Sequence, residues 1–177
     1  VEAPERPVDA EPPCMTVKQR LGAIDQRTPV AVQDLGEDEI LEFQITLAIE
    51  SSGHRVVGDN IAPLTDGDIV LLGANLPHVW HQDENAGKDV HAIIARFDPQ
   101  TLGADFFKLP ELDGIRRLLE KASRGLEVRG KTRAIIAAHM RRIAETEGFA
   151  RLLELLAILH VLSEAKNDVK PLASAGY

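Results

Sequence analysis

Alternation of apolar and polar residues predicts β-strands across the middle of the chain. Between residues 43 and 49 every second residue is large and apolar, namely Phe43, Ile45, Leu47 and Ile49, which is the period of a strand with one buried face. Shorter apolar runs follow at 54–57, 69–72, 78–82 and 90–97. Turn-forming glycines such as Gly53 and Gly67 separate these runs. Closely spaced short strands of this kind predict a small all-β barrel or sandwich.

After Pro99 the apolar residues recur every three or four positions, which is the period of amphipathic α-helices. The pattern predicts three helices, which run from Pro110 to a stop at Gly125, over 131–147 and over 149–165. One apolar seam of the third helix contains Leu152, Leu155, Leu159 and Leu162. A second apolar flank of the same helix contains Leu153, Leu156 and Ile158.

A helix that is apolar on two sides needs two covering surfaces. We expect the β-structure on one side and, on the other, either a second copy of the chain or the helix at 131–147. The first arrangement predicts a homodimer with Leu152, Leu155, Leu159 and Leu162 at its interface. The second predicts a helix that is covered within one chain.

Composition narrows the class of protein. The length of 177 residues, with 44% hydrophobic residues, fits one globular domain with appended segments. A net charge of −8 argues against a free-standing nucleic-acid-binding protein, which needs a basic surface. The lone cysteine, Cys14, excludes a disulfide or a cysteine-based zinc site within one chain. No apolar run is long enough to span a membrane and no secretory signal is visible, so we expect a cytoplasmic protein.

Charge is distributed unevenly along the sequence. Residues 1–114 include 21 acidic and 8 basic residues, whereas residues 115–151 include 4 acidic and 10 basic ones. Because the basic residues fall mainly on the polar sides of predicted helices, we expect them to pair with the acidic β region rather than bind nucleic acid. The Pro-rich, acidic start of the chain (1–27) is predicted to be a partly disordered arm, within which 15–27 is compatible with a short helix.

A run of fixed residues resembles a known family. The stretch GHRVVGDNIAPLTDGDIVLLGANLPHVW at 53–80 resembles the N-terminal cupin domain of AraC-type transcription regulators. The shared positions are Gly53, Val57, Gly58, Asp59, Ile61, Pro63, Gly67, Asp68, Val70, Leu71, Leu72, Gly73, Asn75, Leu76, Pro77, His78 and Trp80. Weaker similarity continues through 109–126 and 151–163, so the resemblance spans roughly residues 28–177.

The resemblance implies a domain organisation and a function. It implies a cupin-like β-barrel at about 28–98, a helical dimerisation region at about 99–165 and the start of a linker at 166–177. In that family the barrel binds a small effector, the helices pair two subunits, and a C-terminal helix-turn-helix region binds DNA. This sequence lacks such a region, so we expect an effector-sensing homodimer that reaches DNA only through a missing part.

Many cupins bind a divalent metal through histidines and a carboxylate inside the barrel, a ligand set that suits iron, manganese or zinc. Alignment with the family places Asp38 and Ile40 at two of the histidine positions and Gln44 at the glutamate position, and retains only His78. The resemblance therefore implies no metal site and no cofactor. The alternatives for His78 are weak metal binding together with Asp38 and His81, or a hydrogen bond to the backbone.

In the family, the face of strand 41–50 that here carries Gln44 and Thr46 points into the barrel. The resemblance therefore implies a polar interior and an apolar exterior covered by the helices. It implies Gln44, Thr46, His78 and Trp80 as ligand-binding residues for a small polar effector. Periodicity alone favours the opposite arrangement, in which the apolar residues form the core and the polar ones face solvent.

Two residues have open alternatives. Trp80 either stacks on a ligand or fills the core, and Arg96 either binds a ligand carboxylate or is an exposed charge on an edge strand. The sequence has no nucleophile elbow, phosphate loop or dinucleotide fingerprint, so we expect that the chain is not an enzyme. The competing functions are a small metal-dependent cupin enzyme, such as a dioxygenase or isomerase, and a pure oligomerisation module.

Overall fold

The structure is a computed structural model, and it describes residues 21–26, 42–82, 91–103, 105–165 and 167–177. These residues form nine β-strands and three α-helices. The strands are β1 (Leu21–Gln26), β2 (Phe43–Glu50), β3 (Gly53–Val57), β4 (Asn60–Leu64), β5 (Ile69–Leu72), β6 (His78–Gln82), β7 (His91–Phe97), β8 (Leu126–Val128) and β9 (Val169–Pro171). The helices are α1 (Asp113–Lys121), α2 (Gly130–Glu145) and α3 (Gly148–Glu164). Short 3₁₀ segments lie at Pro99–Leu102, Phe106–Lys108, Pro110–Leu112 and Ala122–Arg124.

The strands form two antiparallel sheets. The larger sheet has the order β1-β7-β2-β5-β8-β9 and the smaller has the order β4-β3-β6. Strand β2 lies in the middle of the larger sheet, where Gln44 is opposite Arg96 on one side and Leu72 on the other. The predicted combination of β-structure followed by helices is confirmed. A closed barrel is not found among the described strands.

Helices α1, α2 and α3 cover one face of the six-stranded sheet, which we call the outer face. Ile45 and Leu47 of β2 and Ile69 and Leu71 of β5 are fully buried in this layer. The helices contribute Ile115, Leu118, Leu119, Ile136, Ala137, Met140, Ile143, Leu155, Ile158, Leu159 and Leu162 to the same cluster. Each large aliphatic side chain buried in this way contributes roughly 1.5–3 kcal/mol, so this layer is the main core of the domain.

The opposite face of the six-stranded sheet, which we call the inner face, lies against the three-stranded sheet. A smaller apolar cluster of Val57, Val70, Leu72 and Leu76 joins the two sheets. Gly125, just before β8, lies directly against this cluster. A Cβ at Gly125 would lie 2.6 Å from Cγ1 of Val57, and its φ is +62°, so both space and conformation require glycine there.

The arrangement of β2 confirms the polarity that the family resemblance implies. Ile45 and Leu47 lie on the outer face under the helices, whereas Gln44 and Thr46 lie on the inner face. The opposite arrangement, favoured by periodicity alone, is correct for the apolar residues, because Ile45 and Leu47 lie in the main core. It is wrong for the polar residues, because Gln44 is 7% exposed and Thr46 is 6% exposed. The helices cover one face of β2 and the three-stranded sheet covers the other. The alternation of apolar and polar residues in β2 predicts only one of these two layers.

The three predicted helices are confirmed, with α1, α2 and α3 beginning within a few residues of the expected positions. Residues 21–26 differ from expectation, because they form β1 rather than part of an arm or a short helix. Pairing with β7 satisfies the backbone groups of this segment, and this tertiary effect overrides its weak local preference. The rest of the predicted arm lies outside the described residues.

The C-terminal residues, which the resemblance identifies as the start of a linker, are bonded to the β-structure. Strand β9 pairs with β8, and the residues after it run along the domain. The backbone N–H groups of Leu172 and Ala173 donate to the carbonyls of Gly125 and Arg124 at 2.9 and 2.8 Å. The N–H of Ser174 donates to Oδ1 of Asp59 at 2.9 Å. These long-range bonds hold residues 169–174 on the β-structure.

None of the helices among the described residues combines the length and the apolar composition that a bilayer crossing requires.

Candidate ligand-binding site

Polar side chains from β2 and β7 form a connected group on the inner face. Gln44 and Arg96 are opposite each other in the ladder, and Nε of Arg96 donates to Oε1 of Gln44 at 3.0 Å. Nε2 of Gln44 in turn donates to Oγ1 of Thr46 at 2.9 Å. The amide of Gln44 therefore connects the guanidinium to the hydroxyl, and all three groups are held in fixed positions.

Arg96 is half-buried on β7, a strand that lies between β1 and β2. The interpretation of Arg96 as an exposed charge on an edge strand is therefore wrong. A charged residue in an interior strand needs polar partners, and Gln44 is one of them. Sequence periodicity assigned Arg96 and Gln44 to two separate strands. Only the register of β2 with β7 shows that they are neighbours.

His78 begins β6 on the inner side of the three-stranded sheet. Its Nδ1 lies 2.8 Å from the carbonyl oxygen of Leu76. Because a carbonyl only accepts, Nδ1 carries the proton, and Nε2 of the neutral ring is an acceptor. Burial lowers the pKa of His78 below its ordinary value of 6.5; the hydrogen bond to Leu76 opposes this shift and the nearby positive charge of Arg96 adds to it. His78 is therefore a neutral imidazole at neutral pH, as the backbone-bonded interpretation expects.

The lowered pKa of His78 makes a prediction about pH-dependent stability. The unfolded chain binds the proton at a higher pH than the folded chain, so the stabilisation by neutral His78 is complete above about pH 6.5 and is lost as the pH falls. We expect the wild type to lose stability relative to His78→Asn, whose amide also donates to Leu76, between about pH 7.5 and pH 5.5. Urea unfolding of both proteins at the two pH values measures the difference. A difference in unfolding free energy between the two proteins that is the same at both pH values would contradict the lowered pKa of His78.

Trp80 follows His78 on the same face of β6, with their ring centroids 6.2 Å apart and their planes tilted by 57°. The indole packs against the cluster of Val57, Val70, Leu72 and Leu76. It is half-buried, so it fills part of the space between the sheets and still has accessible surface. The two suggested roles of Trp80 are compatible in this position.

Arg55 is a site residue that sequence reasoning missed. It lies on β3 opposite Trp80 and its side chain is 2% exposed. Nη2 of Arg55 donates to Oε1 of Glu127 on β8 at 3.0 Å, and Nε lies 3.8 Å from Oδ2 of Asp68. Nε and Nη1 have no hydrogen-bond partner among the described residues. The sequence did show that Arg55 is on the same side of its predicted strand as Val57.

The alternative metal set of His78, Asp38 and His81 is not brought together in the part that the structure describes. His81 is exposed and stacks on His54 with ring centroids 4.8 Å apart. His78 and His81 are three positions apart on β6, so the two imidazoles lie on opposite faces of the strand. Asp38 and Ile40 lie outside the described residues. Within those residues no group of three or more potential metal ligands occurs.

The leucines predicted for a dimer seam lie in the core of a single chain. Leu155, Leu159 and Leu162 are buried in the outer-face cluster, and Leu152 is half-buried. The second arrangement suggested by the sequence, in which the chain covers its own helix, therefore accounts for this seam. Helices α1 and α2 and the sheet provide the cover. The exposed apolar residues of α3 are Phe149 and Leu153 instead.

Comparisons with known proteins concern the fold. No family profile matches the sequence, and no curated protein matches it significantly. Among solved structures, the crystal structure of the AraC-like transcriptional activator CuxR is similar, with a TM-score of 0.58 and 12% sequence identity. The similarity covers 88% of this chain and 55% of that one, so this chain spans about half the length of CuxR. The two sheets and three helices therefore have the fold of part of an AraC-like transcriptional activator.

Proposed function

We propose that this chain is the effector-sensing and dimerisation domain of an AraC-like transcription regulator. It binds a small polar molecule in a cupin-like space between the two sheets and acts on DNA through a helix-turn-helix region outside this sequence. The observation that carries the proposal is the connected polar group of Gln44, Thr46 and Arg96 on the inner face, with His78 near Arg96. The similar fold of an AraC-like activator supports a regulatory role.

The polar groups of the inner surfaces indicate the chemistry of the effector. Nε2 of His78 is an acceptor, whereas two buried donor nitrogens of Arg55, Nε and Nη1, have no hydrogen-bond partner among the described residues. Oδ1 of Asn60 on β4 is a buried acceptor that likewise has no hydrogen-bond partner among the described residues. Buried polar groups are normally hydrogen-bonded. A small molecule with both hydroxyl or amide donors and acceptor oxygens satisfies both kinds of group, and Trp80 provides apolar surface for its carbon skeleton.

A short structural route connects this space to the C-terminal segment. Val57 of β3 is paired with His78 of β6, and the turn that follows Val57 contains Gly58 and Asp59. The N–H of Gly58 donates to Pro77 at 2.8 Å, and Asp59 binds the N–H of Ser174. An effector that shifts His78 therefore acts on the segment that leads out of the domain, by changing the population of its docked state.

The exposed flank of α3 is the surface that we propose for dimerisation. Phe149 is 71% exposed and Leu153 is 50% exposed, and they are one helical turn apart. Leu156, which is half-buried, continues the same stripe. Large apolar side chains that share one stripe and remain accessible are typical of a protein interface. This flank therefore replaces the buried seam of Leu155, Leu159 and Leu162 as the contact between two copies.

The proposal is tested by a thermal-shift screen with two matched histidine variants. His78→Ala removes an imidazole from the side of β6 that faces the six-stranded sheet. His81→Ala removes one from the opposite side of the same strand. The ligands are sugars, small organic acids, aromatic compounds and divalent metals. A ligand at a hundred times its Kd stabilises the folded state by about 2.7 kcal/mol. We expect an organic compound to raise the melting temperature of the wild type and of His81→Ala, but not that of His78→Ala.

Each other outcome contradicts the proposal in a distinct way. Stabilisation by a divalent metal alone favours a metal-dependent cupin enzyme. An organic ligand that stabilises both variants equally binds outside the space between the sheets. No stabilisation by any compound of the panel favours an oligomerisation module without a ligand.

A further inference from the structure

A groove separate from the space between the sheets lies on the helical side of the domain. It runs between α1, the C-terminal end of α3 and the strands β8 and β9, and its volume is about 810 Å³. Sites for small molecules and cofactors have volumes of about 300–1,000 Å³. Leu118 and Leu162, which belong to the outer-face core, contribute to its lining. The groove is therefore on the opposite face of the sheet from Gln44 and Thr46.

The charged residues of the groove are mainly basic. Arg117 and Lys121 are one turn apart on α1, and Arg124 lies just beyond the end of that helix. Glu164 is the single acidic residue among the described residues that line it. The whole chain has a net charge of −8, so a surface with three cations and one anion differs from the average surface of this protein.

The cations of the groove form no salt bridge with the residues that the structure describes. Arg117 and Lys121 are exposed, and neither forms a hydrogen bond or a salt bridge through its side chain with the described residues. By contrast, their neighbour Arg116 is bonded to Asp113 and Glu120. Arg124 is fixed by a hydrogen bond of 2.8 Å from its Nε to the carbonyl of Ala173. The groove thus holds one fixed guanidinium and two cations that can turn toward a ligand.

We propose that this groove is a second small-molecule site, which takes an organic anion: a carboxylate or phosphate attached to an apolar body. The leucines contact the apolar body, and Arg117, Lys121 and Arg124 bind the anionic group through charge-assisted hydrogen bonds. A molecule in this place contacts α1, α3 and β9 together. Its binding therefore strengthens the attachment of the C-terminal strand to the helices, independently of the effector between the sheets.

A pair of fluorescent probes tests the proposal on the full chain. 1-Anilinonaphthalene-8-sulfonate has an apolar body with an anionic group, and N-phenyl-1-naphthylamine has the same body without the charge. We expect Lys121→Glu to weaken binding of the anionic probe about tenfold or more, Arg117→Glu/Lys121→Glu to weaken it further, and neither to weaken binding of the neutral probe. Arg141→Glu, the same change at an exposed position of α2, serves as the matched control and is expected to bind as the wild type does. Thermal melts verify that all variants are folded.

Lysine acetylation provides a second, independent measurement. We expect the anionic probe to protect Lys121 from acetylation, as measured by mass spectrometry, while Lys108, whose side chain is 70% exposed, reacts as before. Displacement of the probe by octanoate and by octyl phosphate then distinguishes a carboxylate site from a phosphate site. The proposal is overturned if the anionic probe does not bind, if Lys121→Glu and Arg141→Glu bind it equally, if Lys121 is not protected, or if neither octyl compound displaces it.

Discussion

Replacing Glu127 with alanine is expected to destabilise the protein by about 3–5 kcal/mol, because it leaves a buried arginine without its hydrogen-bonded counter-charge. Arg55 is 2% exposed, and its shortest contact with a carboxylate is the 3.0 Å bond from Nη2 to Oε1 of Glu127. The second carboxylate, Asp68, is 3.8 Å away from Nε. Without Glu127, Asp68 alone neutralises the guanidinium, and Nη2 joins Nε and Nη1 as an unpaired donor.

Arg129 provides the matched control for this prediction. It donates to the other oxygen of Glu127, Oε2, but its side chain is 61% exposed. An exposed ion pair contributes about 0–1 kcal/mol, so Arg129→Ala is expected to change the free energy of unfolding by no more than that. Urea unfolding of Glu127→Ala and Arg129→Ala under identical conditions compares the loss of the buried partner of Arg55 with the loss of an exposed ion pair at the same carboxylate.

Replacing both members of the buried pair separates the cost of an unpaired charge from the loss of packing. Arg55→Met/Glu127→Leu removes the charges and keeps apolar volume between the sheets, and such replacements recover much of the stability lost in single variants. The double variant is therefore expected to be more stable than Glu127→Ala. Equal stability of Glu127→Ala and Arg129→Ala would show that Arg55 does not depend on this partner.

Replacing Leu155 with alanine is expected to cost about 2–5 kcal/mol, because the side chain is buried in the outer-face core and the substitution leaves a cavity. Leu155 is 1% exposed and packs in the cluster that also contains Leu159, Ile136 and Ile45. The loss is expected in the unfolding free energy of a single chain, measured in urea at several protein concentrations. An effect confined to self-association would contradict the position of Leu155 in the core.

Leu153 is the matched control on the same helix, because its side chain is 50% exposed. A substitution at such a surface position changes stability by about 0.5 kcal/mol or less. Under the proposed function, Leu153→Glu together with Phe149→Glu prevents the pairing of two copies without unfolding either. Size-exclusion chromatography with light scattering is expected to show a dimer for the wild type and a folded monomer for this double variant. A persistent dimer would place the interface elsewhere.

Local patterns predicted most of the secondary structure. The helices α1, α2 and α3 were predicted because each has several apolar residues at helical spacing and a glycine near an end, as at Gly125 and Gly148. The turns at Gly53, Gly58 and Gly67 were predicted from residue type, and all three glycines have positive φ. Strands β1, β4 and β9 were missed, because short segments of six, five and three residues with mixed composition give no clear alternation. Pairing with β7, β3 and β8, respectively, makes them strands.

The candidate site was predicted in part. The resemblance to AraC-type regulators predicted that Gln44, Thr46, His78 and Trp80 lie on faces that point into the domain, and the structure has them there. Arg55 was missed because one charged residue in a short strand has no periodic signal, and its partner Glu127 is 72 residues away in the sequence. The partnership of Arg96 with Gln44 likewise depends on strand register, which joins residues that are 52 positions apart.

Interactions between neighbouring residues account for the spacing of apolar side chains, the glycine turns and the order of β-structure before helices. Which face of each element is covered, and by what, depends on segments that are distant in the sequence. The pattern of β2 does not show that the helices cover its outer face. The pattern of α3 does not show that α1, α2 and the sheet, rather than a second copy, cover Leu155, Leu159 and Leu162. Burial is a property of two surfaces, and a local pattern describes only one of them.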